Sequence, residues 1–271
     1  MKPSEKWKRN YLAKYGKWAV VTGASSGIGK EIAQNLAAIG FKLILHGRNI
    51  KRLEEIANGL FLKFNTDVRI ISADLSHEDG IKTLISAIDD ETDIGLFVAS
   101  AGFGSSGAFI DSSLENEISM LRVNIEALTA LTHYFTRRFV RQQRGGVILM
   151  SSIVAFQGVP YAANYSATKT YVQSLAEALH SELKSYHVDV LAAAPGPVHS
   201  SFAQYANMKM KLALAPAQIA FPILKALGNR STVFPGLLTK FLVYPLLLAP
   251  RRMKITIMKK IMRNMAAHQL S

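Results

Sequence analysis

Tyr165 and Lys169 stand four residues apart in Asn164-Tyr165-Ser166-Ala167-Thr168-Lys169, and Ser152 lies thirteen residues before the tyrosine, at the end of an apolar run. A phenol ordinarily titrates near pH ~10, so to exchange a proton at neutral pH it needs a neighbouring cation that stabilises its anion. Positions i and i+4 share one helix face, which sets the Lys169 ammonium beside the Tyr165 ring, and a strand-end hydroxyl from Ser152 can complete a three-group pocket. That combination suits carbonyl–alcohol redox chemistry. The pair alone is weak evidence, because a half-buried aromatic beside a solvated charge has the same spacing. Ser151 offers a rival hydroxyl, whereas Tyr161 and Tyr171 have no lysine four residues on.

Such groups need a frame, and the chain supplies a regular one. From Lys17 to about Gly236, short β-branched or apolar runs alternate with longer helical patterns. Strands are expected at Trp18–Val21, Lys42–Leu45, Val68–Ser72, Gly95–Ser100, Val147–Met150, Asp189–Ala193 and near Thr232–Phe234. Helical stretches include Gly27–Ile39, Ile50–Phe64, Leu114–Gln142 and Ala163–Ser185. Strict alternation predicts an α/β fold, a parallel sheet of about seven strands with helices on both faces. One domain over residues 17–236 is expected, flanked by a basic, aromatic extension at 1–16 and a basic, apolar helical extension at 237–271.

After the first strand comes Thr22-Gly23-Ala24-Ser25-Ser26-Gly27-Ile28-Gly29, opening the first helix. Glycines there let the backbone approach a pyrophosphate, and the free N–H groups of a helix start attract its charge. The second strand ends at His46-Gly47-Arg48-Asn49. A carboxylate at that place would accept from the ribose 2′-hydroxyl of NAD, whereas Arg48 suits the 2′-phosphate of NADP. The bland reading of Arg48 is a solvated residue opening a helix that also carries Lys51 and Arg52.

With these pieces in place, the chain resembles the short-chain dehydrogenase/reductases from about Gly16 to Val233. The Thr-Gly-x-x-x-Gly-x-Gly loop, Asp74-Leu75, Asn124, Ser152, Tyr165-x-x-x-Lys169 and Pro195-Gly196 follow that family's order and spacing. The resemblance implies a Rossmann-type doubly wound sheet and a dimer or tetramer. It implies that Tyr165 is the catalytic acid/base, that Ser152 hydrogen-bonds the substrate oxygen, and that Lys169 also binds the nicotinamide ribose. Asn124 would help hold a water that relays protons to the lysine. Contacts to the cofactor would come from Gly23, Ser25, Ser26, Gly27, Ile28, Gly29, Arg48, Asn49, Asp74, Leu75, Ala101 and Gly102, with Pro195, Gly196, Val198 and Ser200 along the nicotinamide. Asn124 could equally be a core hydrogen-bonding residue, and Asp74 the cap of the following helix. The chain departs from the family at Ala99-Ser100-Ala101-Gly102, where Asn-Asn-Ala-Gly is usual, which puts sheet stability there in doubt.

Composition narrows the partners. The 271 residues are 49% hydrophobic and contain no cysteine, which excludes disulfides and thiolate catalysis. The histidine spacings suggest no metal site, and residues 1–17 lack an apolar signal core, so a cytoplasmic protein is expected. The net charge is +13. Asp189 is the last acidic residue, and eleven cations follow it. Residues 1–17 add a net +5, and subtracting both from the total leaves residues 18–189 at −3.

Residues 237–249 are strongly apolar yet too short to span a bilayer, which takes ~20 residues. Beyond them Ile257, Met258, Ile261, Met262 and Met265 share one helical face, with Lys259, Lys260 and Arg263 opposite. Trp7, Tyr11 and Tyr15 recur every four residues among Lys6, Lys8, Arg9 and Lys14. Such stripes fit peripheral attachment to an anionic membrane, a cover for the substrate cleft, or a subunit interface. No motif supports nucleic-acid binding. The sequence therefore points to an NADP(H)-dependent oxidoreductase, with NADP(H) favoured over NAD(H), acting on a lipophilic carbonyl such as an acyl or steroid-like ketone. A branch of 3-ketoacyl and 17β-hydroxysteroid reductases looks similar. The alternative is a catalytically silent NADP(H)-binding scaffold or sensor at a membrane.

Overall fold

The computed structural model describes residues 3–88, 92–209 and 212–269; Lys2 and Lys211, counted among the cations above, lie outside them. Among the described residues the alternating segments form one seven-stranded sheet in the order β3-β2-β1-β4-β5-β6-β7. The strands are β1 (Trp18–Thr22), β2 (Lys42–Gly47), β3 (Val68–Ser72), β4 (Ile94–Ala99), β5 (Gly145–Met150), β6 (Val188–Ala193) and β7 (Thr232–Val233), each within two residues of the expected ends. All neighbours pair in parallel. Every residue of β4 and β5 is buried, as a parallel sheet covered on both faces requires.

One face carries α1 (Glu5–Tyr15), α2 (Gly27–Ile39) and α3 (Ile50–Phe64), joined later by α9 (Pro216–Ala226). The other carries α4 (Glu78–Ser86), α6 (Leu128–Gln142) and α7 (Ala163–Glu182), with α5 (Leu114–Leu121) packed beside α7. Helix α3 begins where the Asn49 side chain accepts from the Arg52 N–H at 3.0 Å, and it ends at Asn65 in a left-handed conformation. The chain closes with the short α8 (Ser201–Tyr205), then α10 (Leu237–Leu248) and α11 (Arg251–Met265).

Two expectations change. The single helix over Leu114–Gln142 is interrupted by a π-helical turn at Arg122–Ala127. Apolar periodicity does not reveal such a turn, because it adds one residue without ending the helix, and such turns gather at functional sites. Here it carries Asn124. The doubt over Ala99-Ser100 is also removed. The Thr22 hydroxyl accepts from the Ser100 and Ala101 N–H groups, both at 3.1 Å, and donates to the Val98 carbonyl at 3.4 Å. One buried threonine on β1 thus satisfies the strand end.

The N-terminal aromatic stripe belongs to the core. Tyr11 and Tyr15 are buried, stacked edge-on to each other, and Tyr11 meets Phe41. The Tyr15 hydroxyl donates to Asp189 at 2.7 Å, and Lys14 pairs with the same carboxylate at 2.6 Å. Within the expected extension, helix Glu5–Tyr15 thus packs against the sheet domain. Tyr15→Ala should cost about 3–5 kcal/mol, the usual cost of truncating a buried ring. A urea midpoint shift with unchanged slope measures it, and a loss under 1 kcal/mol would refute the core role.

Candidate active site

The strand order reverses between β1 and β4, and a cleft of about 680 Å³ opens at the carboxyl ends of the strands there. Every expected site residue except Asn124 lines it. Gly23, Ser25, Ser26, Gly27, Ile28 and Gly29 form the loop that opens α2, whose first-turn N–H groups have no partner within the helix. Gly23 has φ +66°, and a Cβ there would lie 2.8 Å from the Ala101 backbone, so a side chain would push the loop off the sheet.

Arg48 and Asn49 follow β2, and Asp74 and Leu75 follow β3. The Asn49 side-chain oxygen is engaged as the cap of α3. Arg48 is exposed and only 4.0 Å from Asp74, a contact in the weak range for surface pairs. Asp74 Oδ1 accepts from the N–H and the hydroxyl of Ser76, at 2.9 and 2.8 Å. Those bonds, then Arg48 and His77, outweigh partial burial and hold its carboxyl below the usual range. Asp74 fixes this turn, whereas the residue at the start of α4 is His77. Arg52, read from sequence as part of a solvated helix, also lines the cleft.

At the other end, Ser152, Tyr165 and Lys169 are buried together. The Ser152 hydroxyl lies beside Tyr165, donates to the Pro195 carbonyl at 3.5 Å and receives the Val154 N–H at 3.4 Å. Ser151 instead donates to the Lys169 carbonyl at 3.3 Å, so its hydroxyl is taken up by the backbone of α7. Lys169 Nζ donates to the Met150 carbonyl at 2.8 Å and stands 5.7 Å from the Tyr165 ring centroid. Burial pulls the Lys169 pKa down to about 8 and pushes the Tyr165 phenol above its ordinary value, with the Ser152 bond opposing. Burial sets the direction for the phenol, and Ser152, not Lys169, supplies the opposing contribution, contrary to the lowering by Lys169 expected from sequence.

Asn124 lies behind the cleft wall. Its Oδ1 accepts from the Phe103 N–H at 3.1 Å, and its Nδ2 donates to the Phe103 carbonyl at 2.8 Å and to Thr168 Oγ1 at 3.1 Å. The side chain therefore clamps the Ala101–Phe103 segment to α7, which fits its reading as a core hydrogen-bonding residue. A Cβ on Gly102 would come within 2.9 Å of Asn124 Oδ1, so this clamp needs a glycine.

The sequence reading missed part of the wall. Phe202 on α8 lies 5.2 Å from the Tyr165 ring, centroid to centroid. Leu238, Leu242 and Leu246 on α10 and Met258, Ile261, Met262 and Met265 on α11 also line the cleft. Thr239, wholly buried, accepts from the Gly196 N–H at 3.2 Å and ties α10 to the Pro195–Ser200 segment. Only the methionine face carried a signal, as a possible cleft cover. Among the described residues no group of His or carboxylates is placed to hold a metal, and no helix is long and apolar enough to cross a membrane.

Comparison with known proteins agrees with this geometry. The short chain dehydrogenase family model matches residues 17–211. The chain is 33% identical to a 7beta-hydroxysteroid dehydrogenase of Clostridium sardiniense over 69% of this chain and 71% of that protein. It is also 33% identical to a very-long-chain 3-oxoacyl-CoA reductase-like protein of Arabidopsis thaliana, over 68% of this chain and 60% of the relative. Among solved structures, one from a study of 7beta-hydroxysteroid dehydrogenase stereoselectivity superposes with a TM-score of 0.84 at 26% identity, covering 92% of this chain and 98% of that one. A short-chain dehydrogenase from Sphingobium yanoikuyae in complex with NADPH gives 0.77 at 26% identity, covering 81% and 87%.

His46, at the adenosine end of the cleft expected from sequence, adds a pH dependence. Burial pushes its pKa down to about 4, against the Ala73 carbonyl bond and the Asp74 charge. Between pH ~6.5 and 4 the unfolded chain binds a proton that the folded chain refuses, so stability drops as the pH is lowered through that window, by on the order of 3 kcal/mol. His46→Gln should flatten that part of a denaturation–pH series; an unchanged slope would show that other groups set it.

Proposed function

The chain belongs to the short-chain dehydrogenase family, an oxidoreductase acting on an alcohol or ketone with NAD(P), and on that premise we propose an NADP(H)-dependent reductase of a lipophilic ketone or aldehyde. The observation that carries this reading is a buried Ser152/Tyr165/Lys169 group facing a wall of Phe202, Leu242, Leu246, Met258 and Met262. The residues present fit a dinucleotide: the close approach at Gly23, the amides opening α2, and Arg48 and Arg52 with no carboxylate ending β2. When bound, that cofactor supplies the hydride.

The protein's own groups handle the proton and the position of the carbonyl. Tyr165 delivers its hydroxyl proton to the carbonyl oxygen as that oxygen gains charge. A buried phenol that holds its proton firmly is in the donor form at neutral pH, which suits reduction. Ser152, within hydrogen-bond reach of Tyr165, donates to the same developing oxyanion. Lys169, with a pKa near 8, is largely protonated at neutral pH and keeps a cation near the ring. Asn124 holds the Phe103 loop and α7 in register around these groups.

An apolar wall excludes water and favours a substrate with little polar surface. Its methionines are unbranched and adapt to irregular shapes, which suits a fused-ring or long-chain ketone. The hydroxysteroid dehydrogenase and oxoacyl-CoA reductase-like relatives act, by their names, on carbonyls of those two kinds, and a steroid-like or long-chain acyl ketone is the substrate class of this proposal. For cofactor choice, the Arg48 guanidinium is free to leave Asp74 at little cost and pair with a 2′-phosphate.

Tyr165→Phe should lower kcat/KM for such ketones by ~10²–10⁴ while leaving NADPH binding intact. Stopped-flow and steady-state assays across a steroid and acyl panel measure this, and equal rates would remove the catalytic assignment. Arg48→Asp should weaken NADPH relative to NADH by ~10–100-fold, as loss of a charge-assisted bond predicts. An unchanged KM ratio would refute the 2′-phosphate role.

A further inference from the structure

Helix α10 is apolar all round except for Thr239 and Lys240. Its inward residues are used: Thr239 and Val243 are buried, and Leu238, Leu242 and Leu246 line the cleft. The opposite face is the anomaly. Leu237, Phe241 and Leu248 are 83%, 77% and 88% exposed, and Tyr244 joins them in the same stripe. A surface helix of a water-soluble protein ordinarily turns polar residues outward there. Helix α11 repeats the arrangement, with Met258 and Met262 buried and Met253, Ile257 and Ile261 exposed along one flank. The adjoining flank carries Arg252, Lys259, Lys260 and Arg263, all exposed.

Two features decide what covers these stripes. No acidic residue occurs after Asp189, so neither helix offers its cations a partner. A two-fold interface through this surface would bring together two basic patches that hold no carboxylate, because the same patch serves both copies. A nucleic acid would use the cations but leave the leucines and Phe241 in water. An anionic lipid surface satisfies both at once, with the apolar flank in the acyl boundary and the ammonium and guanidinium groups among headgroup phosphates. The helix of 12 residues is about 18 Å long, so it lies in the interface and does not cross it. Ile261 belongs both to the exposed stripe and to the cleft lining, so the stripe runs into the mouth of the cleft.

We propose that α10 and α11 form a platform that docks on an anionic membrane surface, one side of the helix pair lying in the lipid and the other walling the substrate cleft. The docking goes beyond the catalytic reading and its readout is vesicle binding, with activity used only as a check that a variant is folded, so either can fail alone. The test is co-sedimentation of the full chain with phosphatidylcholine vesicles, with and without phosphatidylglycerol. Binding is expected to the anionic vesicles and to weaken as salt screens it. Replacing Leu237→Ser, Phe241→Ser and Leu248→Ser together should weaken binding at least ~10-fold by removing most of the inserted surface, with unchanged reduction of a water-soluble ketone. A second variant, Lys259→Glu with Lys260→Glu at exposed positions, should weaken binding to anionic vesicles by at least ~25-fold, each lost cation being worth about fivefold. The proposal is overturned by absence of binding to anionic vesicles, by full binding of both variants, or by a wild-type dimer that the serine variant converts to monomer without any change in vesicle binding.

Discussion

A parallel sheet has to be covered on both faces, and most of this structure follows from meeting that constraint with one chain. Strands β1, β2 and β3 step one way across the sheet and β4 to β7 step the other, so the helices that return each strand part company between β1 and β4. At that parting the crossover helices diverge, and the cleft lies at the carboxyl ends of the strands there. The phosphate-loop glycines, the turn after β4 and the end of β5 therefore converge without being neighbours in the chain. Their convergence is a consequence of topology first and of side-chain chemistry second.

Convergence exposes backbone groups that a regular sheet would pair, and a few buried polar side chains satisfy them. Thr22 closes the end of β4, Asn124 holds the Phe103 segment to α7, Thr239 meets the Gly196 N–H, and Lys169 donates to the Met150 carbonyl. Each pairs a group that would be costly to leave bare in the interior. The same burial raises the phenol of Tyr165 and lowers the ammonium of Lys169, so the scaffold that fixes these groups also sets their proton affinities.

The two chain ends solve different packing problems. Residues Glu5–Tyr15 use their aromatic stripe to cover the amino ends of β4, β5 and β6 near Asp189, and most of their apolar surface is consumed in doing so. Residues Leu237–Met265 cover the cleft with one face and retain a second apolar face that the protein itself does not bury. Two basic segments with similar helical periodicity thus end in opposite circumstances, and periodicity alone does not distinguish them.

Local pattern determined the strands, the helices Gly27–Ile39 and Ile50–Phe64, and the place of the glycine loop, because alternation, 3.6-residue periodicity and turn residues act over a few positions. It also placed Ser152, Tyr165, Lys169 and Arg48 at strand and helix ends, where a doubly wound sheet gathers them. Only the tertiary structure decided that Ser151 turns to the α7 backbone and Ser152 to Tyr165, and that Asn124 sits in a π-helical turn as a clamp. It alone showed that Asn49 is spent on capping α3 and that Thr22 holds the backbone at the end of β4. The same holds for α10 and α11 as the cleft wall. These outcomes depend on partners such as Thr239 and Gly196, 43 residues apart, whose meeting leaves no trace in either local segment.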